Sequence, residues 1–171
     1  MRQSLALAGG LTATLAILAP SAANSTSTES VRGPAASTAL TSARSVVGTV
    51  VRFSGGGVNV DVTIKSDNPT SRDLLSALPL RLSVEELAGR EKISYLPRKL
   101  KTKGSPGSDP ENGDLIYYAP WGNLRFYYDA SGIGFSRDTV NLGSYRASAK
   151  RLARLQRGSV AVRVLRRGPS S

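Results

Sequence analysis

The chain has 171 residues, with 23 Lys and Arg against 12 Asp and Glu, a formal charge of +11, and neither His nor Cys. A length of this order holds one or two domains. The two missing residue types exclude a Ser-His-Asp triad, a thiolate nucleophile, a His/Cys zinc centre and any disulfide; any metal would need oxygen ligands, and no metal site or cofactor is expected.

Arg2 precedes a run of small and apolar residues from Leu5 to Ala19, closed by Pro20 and the small residues Ser21, Ala22 and Ala23. That is the anatomy of a signal peptide, expected over residues 1–23 with cleavage after Ala23. As a helix the apolar run would reach about 22 Å, short of a hydrocarbon core of roughly 30 Å, which argues against a retained anchor. The expected address is therefore secreted, or the extracytoplasmic cell envelope. Residues 24–45 include 10 Ser or Thr among 22. They hold too little large apolar surface to offset the entropy of ordering and read as a flexible linker.

The folded part is expected over residues 46–167, leaving 168–171 as a tail; it carries 20 basic and 11 acidic residues, a charge of +9. Val46 to Phe53 and Val58 to Ile64 are β-branched runs separated by Ser54-Gly55-Gly56-Gly57, which predicts a glycine-turned hairpin. In the second run Val58, Val60, Val62 and Ile64 alternate with Asn59, Asp61, Thr63 and Lys65, so one face is buried and the other wet. Asp67 or Asn68 caps a short helix with Pro69 at its first position, an apolar stripe at Leu74, Leu75 and Leu78, and a stop at Pro79.

Leu80 to Val84 and Ile93 to Leu96 predict two short strands. Lys99 to Asn112 is nearly free of apolar residues and carries Gly104, Pro106, Gly107 and Pro110, a long loop of the kind that often holds function. Leu115 to Tyr118, Leu124 to Tyr128 and Arg137 to Leu142 predict three more strands. Ser144 is expected to cap a second helix running to about Leu155, with Tyr145, Ala149 and Leu152 facing inward and Arg146, Lys150 and Arg154 repeating along its outer face. Gly158 ends that helix, and Ser159 to Leu165 closes the domain as a strand. About eight short strands with two inserted helices make the protein mainly β. They fit a closed or nearly closed antiparallel barrel better than parallel βαβ units.

Three stretches resemble the bacterial cyclophilin-like domain family. They are Asn68-Pro69-Thr70-Ser71-Arg72-Asp73-Leu74-Leu75 followed by Leu78-Pro79-Leu80; Glu91-Lys92-Ile93 leading into Leu96-Pro97; and Gly113-Asp114-Leu115-Ile116-Tyr117-Tyr118-Ala119-Pro120-Trp121-Gly122-Asn123-Leu124. The resemblance runs from about Val50 to Val164. It implies an eight-stranded antiparallel barrel capped by two helices. Cyclophilins proper isomerise prolyl bonds with an arginine in a Phe-His-Arg strand and an apolar pocket containing Gln. Here Leu96-Pro97-Arg98 occupies the comparable strand end, which makes Arg98 the one candidate for that arginine. The His is missing, and Gly104-Ser105-Pro106-Gly107 stands where a Gln-Gly-Gly-Asp run is expected. Residual prolyl isomerase activity is thus an alternative to the main reading, since fold does not carry function.

Six of the ten aromatic residues fall in one hairpin: Tyr117, Tyr118, Trp121, Phe126, Tyr127 and Tyr128. They are read either as core packing with a polar handle on each Tyr or as an aromatic platform at the barrel mouth. The recognition face expected from the second reading combines Arg98, the 99–112 loop and the Trp121 turn. Tyr118 and Trp121 would stack, Asn123 would supply an amide, and Arg98 would contact an anion or a carbonyl of a peptide or small-molecule ligand.

No acidic residue follows Asp138, whereas eight basic residues do. Arg146, Lys150 and Arg154 are the candidate surface for an anionic partner, an envelope polymer or lipid headgroups in preference to nucleic acid. The carboxylates Asp109, Glu111 and Asp114 lack the spacing of a calcium loop. The whole predicts a monomeric binding module rather than an enzyme.

Overall fold

The structure, a computed structural model, describes residues 44–167. The expected signal segment, nearly all of the linker and the 168–171 tail lie outside those residues. Nine strands and two helices follow one another as β1 (Val50–Gly55), β2 (Val58–Ile64), α1 (Pro69–Ala77), β3 (Leu80–Leu82), β4 (Glu85–Leu87), β5 (Glu91–Tyr95), β6 (Asp114–Tyr118), β7 (Asn123–Tyr127), β8 (Thr139–Tyr145), α2 (Ala149–Leu155) and β9 (Val160–Arg166).

All nine strands belong to one antiparallel sheet in the order β3-β9-β1-β2-β8-β6-β7-β5-β4. The two strands at the ends of that order, β3 and β4, are neighbours in the chain, separated only by Ser83 and Val84. Three peptide steps span at most about 11 Å, so the sheet must curl until its two edges nearly meet. The mainly-β reading therefore stands, as a curled sheet with nine strands rather than eight. The additional strand is β4, whose Glu85-Glu86-Leu87 has no apolar alternation because two of its three side chains face water at the sheet edge.

Alternation along each strand turns one face inward. Val51 and Phe53, Val60, Val62 and Ile64, Leu115 and Tyr117, Leu124 and Phe126, and Val140 and Leu142 build the core, with Leu74 of α1 and Leu152 and Leu155 of α2 packed against it. At its centre the Phe126 ring meets Phe53 edge-on at 5.0 Å and Tyr145 at 5.4 Å. The wet face of β2 is as expected: Asn59, Asp61 and Lys65 are exposed.

Local chemistry explains most boundaries. The β1–β2 turn falls on Gly56 and Gly57, both at positive φ, and a Cβ on Gly56 would stand 1.7 Å from the Arg154 carbonyl oxygen at the end of α2. Asn68 caps α1, its side chain accepting from the Ser71 amide at 2.8 Å. Strand β1 begins at Val50 rather than Val46 because a turn at Gly48, φ +81°, intervenes.

The second helix departs further from expectation. Ser148, not Ser144, is its cap, accepting from the Arg151 amide at 3.2 Å. Tyr145 is not on the helix at all. It completes β8 opposite Val62 and donates its buried hydroxyl to the Tyr127 carbonyl at 2.7 Å. Burying a large ring with its hydroxyl satisfied outweighs one more turn of helix.

Truncating the central ring by Phe126→Ala should cost about 3–5 kcal/mol, read as a lower denaturation midpoint with an unchanged urea slope. A loss under about 1 kcal/mol would mean that the ring does not organise the core.

Candidate functional site

Residues 96–105, the loop that follows β5, carry the candidate site, and α1 holds them in place. Asp73 is 9% exposed and sits at the middle of α1. Its carboxylate accepts from Arg98 Nη1 at 2.7 Å and Nη2 at 2.9 Å, and from the Lys101 amide at 2.9 Å. A two-pronged guanidinium–carboxylate pair is the strong, directional form of the ion pair. Those donors, Arg98 first, pull the Asp73 carboxyl from an ordinary value of 3.8 to about 2.

Three more bonds fasten the same segment. Thr70 Oγ1 donates to the Lys101 carbonyl at 2.9 Å, the Thr70 amide donates to Ser105 Oγ at 3.1 Å, and the Tyr117 hydroxyl accepts from the Leu100 amide at 2.9 Å. Leu100 is thereby drawn into the core. The first part of the long polar loop is clamped to a helix.

Between that segment, the end of α1 and β3 lies a groove of about 310 Å³ lined by Ala77, Leu80, Leu96, Pro97, Arg98 and Leu100. A second hollow of about 300 Å³ shares Leu96 and Pro97 and continues past Arg81, Ser83 and Tyr95. It lies in a fork. β4 pairs with β5 only as far as Glu85 opposite Ile93, while β3 departs to pair with β9. Ser94 Oγ donates to the Ser83 carbonyl at 2.8 Å just where the strands part.

The expected recognition face is only partly assembled. Arg98 and the Trp121 turn do lie at one end of the sheet, since the Leu96 amide donates to the Gly122 carbonyl at 3.3 Å and Lys99 Nζ to the Pro120 carbonyl at 3.0 Å. The groove that Arg98 lines, however, includes none of Tyr118, Trp121 and Asn123.

Tyr118 and Trp121 meet edge-on at 5.7 Å, and the Arg125 guanidinium lies 3.9 Å from the Tyr118 ring centre and 4.9 Å from that of Trp121. The aromatic pair thus already holds a cation from its own hairpin. Asn123 is fully buried, its Oδ1 accepting from Arg125 Nε at 3.3 Å. Trp121 remains 49% exposed.

Arg125 and its carboxylate partner were not foreseen. Arg125 Nη1 donates to Glu91 Oε1 at 3.0 Å, both side chains being about nine-tenths buried. Burial pushes the Glu91 carboxyl up, against the pull of Arg125. The signal available in the sequence was the charge at position 125, inside an otherwise apolar and aromatic strand.

On the opposite wall of the sheet, Arg146 stands between β8 and α2 rather than on the helix. Lys150 and Arg154 are on α2 and line a hollow of about 260 Å³ together with Arg151. Arg151 and Arg146 in turn line a larger hollow, about 590 Å³, with Arg52, Asp61 and Lys65. No group of three or more acidic side chains is placed to hold a metal among the described residues.

A small curled antiparallel sheet packed with two helices is the architecture of cyclophilin-like domains. The chain belongs to the cyclophilin-like family, whose model matches residues 53–165. It is similar in fold to the solution structure of the hypothetical protein AF2241 from Archaeoglobus fulgidus, with a TM-score of 0.55 and 16% identity over 71% of this chain and 98% of that one. No curated protein matches it.

The Asp73 clamp has a pH signature. A carboxyl held at about 2 when folded and near 3.8 when free contributes stability that is complete above pH 4 and is lost as pH falls toward 2. Asp73→Asn should lower stability at pH 7 by about 1–3 kcal/mol and flatten the acid limb between pH 4 and 2. An unaltered acid limb in the variant would show that the clamp is absent in solution. For the second ion pair, Arg125→Met should cost about 3–5 kcal/mol by stranding Glu91, and Glu91→Gln in the same chain should recover part of that loss in a double-mutant cycle.

Proposed function

We propose that this domain is a binding module without turnover, and that its ligand is a short extended peptide carrying an apolar side chain. The observation that supports this is the apolar groove of about 310 Å³ walled by Ala77, Leu80, Leu96, Pro97 and Leu100. That volume lies at the small end of the range for specific ligand sites, enough for one large side chain. The continuation into the fork favours a peptide over a compact small molecule. β3 is the terminal strand of the sheet, so an extended segment laid along it has main-chain groups to pair with.

Arg98 stands at the groove as an orienting group. Nη1 gives both its hydrogens, to Asp73 and to the Lys99 carbonyl at 3.1 Å, and Nη2 gives one to Asp73, which leaves Nε and the second Nη2 hydrogen for a peptide carbonyl. The same commitment counts against residual prolyl isomerisation. An arginine that stabilises a twisted prolyl amide must aim its donors at the prolyl nitrogen, and here they aim at a carboxylate. In this reading the aromatic hairpin frames the fold and Trp121 reports on it, while Tyr118 and Asn123 make no ligand contact.

Calorimetric titration with tetrapeptides bearing Leu, Phe or Pro at the second position should show saturable binding that Ala77→Trp abolishes while circular dichroism stays native. In a protease-coupled assay on the proline peptide, the native protein and Arg98→Ala should both run at the uncatalysed rate. Acceleration by the native protein that disappears in Arg98→Ala would establish an isomerase in place of a binding module.

A further inference from the structure

A wide hollow lies away from the peptide groove, on the wet outer face of β1, β2 and β8 beside α2. It measures about 590 Å³, and among its lining residues are four cations, Arg52, Lys65, Arg146 and Arg151, against a single carboxylate, Asp61. We propose that this basin is a binding site for a multiply charged oxyanion borne on a polyol, of the size and chemistry of a sugar bisphosphate.

Three features carry the inference. The first is that the charge is concentrated and half of it is prearranged. Arg52 is held flat against Asp61 by bonds of 2.7 Å from Nε and from Nη2, and Arg151 Nε donates to the Asn59 carbonyl at 3.1 Å, fixing it over β2. Ordered donors lose less freedom when a ligand arrives. Arg146 and Lys65 are exposed and make no ion pair among the described residues. With Asp61 cancelling one cation, the basin keeps a net charge of +3, which suits a ligand with at least two negative charges.

The second feature is the wall chemistry between the cations. Thr63, Ser144 and Asn59 supply hydroxyl and amide groups, the partners that sugar hydroxyls require. The third separates a polyol from a nucleotide. Tyr145 is the basin's one aromatic residue, and it is buried with its hydroxyl given to the Tyr127 carbonyl. There is no exposed ring on which a base could stack, and base recognition leans on such a platform.

The sequence pattern points to half of this site. Arg146 stands out as a cation in the acid-free stretch after Asp138, but Lys65 and Arg52 lie 81 and 94 residues before it and join it only because β1 pairs with β2 and β2 with β8.

The test is calorimetric titration of the native protein with fructose 1,6-bisphosphate, inorganic pyrophosphate and ADP at low and at physiological ionic strength. The bisphosphate should bind saturably and more weakly as salt rises. Lys65→Ala and Arg146→Ala should each weaken it roughly tenfold, as loss of a charged donor does. Lys103→Ala with Arg137→Ala removes two exposed cations outside the basin and should leave the affinity unchanged. ADP should bind no tighter than pyrophosphate. The proposal is overturned if the bisphosphate does not bind the native protein, if the Lys103 and Arg137 pair matters as much as the basin residues, or if ADP binds best. Binding here is independent of the peptide groove, so Ala77→Trp should leave it intact.

Discussion

The Asp73 carboxylate sets the geometry on which the groove beside α1 depends. A buried carboxylate is costly unless its oxygens are met by donors, and Asp73 meets that demand with both prongs of Arg98 and with the Lys101 amide. The demand is local to α1, but its satisfaction reaches across the sheet opening and fixes a loop that has no secondary structure of its own. Leu100 follows into the core and Pro97 is left at the rim. The groove is the space that remains between a helix and a strap tied to it.

A different economy governs the aromatic hairpin. The β6–β7 hairpin carries Tyr118, Trp121, Asn123 and Arg125 together, and the Arg125 guanidinium joins them, lying over both rings and donating to Asn123 Oδ1, while Asn123 Nδ2 is buried without a partner. A guanidinium between two rings is backed by the buried Glu91 carboxylate, of which only Oε1 is met by a donor. It sits at the end of the hairpin whose Gly122 carbonyl accepts from the Leu96 amide, so it adjoins the groove without lining it.

The legible part of the fold was the part governed by short-range rules. Alternation in β2, the Gly56-Gly57 turn, the Asn68 cap with Pro69 behind it, and the strand-turn-strand around Trp121 all act within a few residues, and each is where it was expected. Elements decided by partners distant in the chain were not. β4 carries no apolar pattern because it is an exposed edge, and Tyr145 is a strand residue because a barrel core claimed its ring. The same limit applied to the site. Arg98 could be singled out from its place after Leu96-Pro97, yet nothing near it in sequence announces that Asp73, twenty-five residues earlier, takes its donors. The partnership of Arg125 with Glu91 and the convergence of Arg52 and Lys65 on Arg146 are likewise products of strand pairing, invisible until the register is known.

The central claim is that ligand enters the groove tied open by Asp73 and not the aromatic turn beside it. The most direct measurement is methyl and indole NMR on the native protein during titration with the leucine tetrapeptide. The shift changes should be confined to the methyl groups of Ala77, Leu80, Leu96 and Leu100. Changes centred on the Trp121 indole, with those methyl groups unmoved, would contradict it.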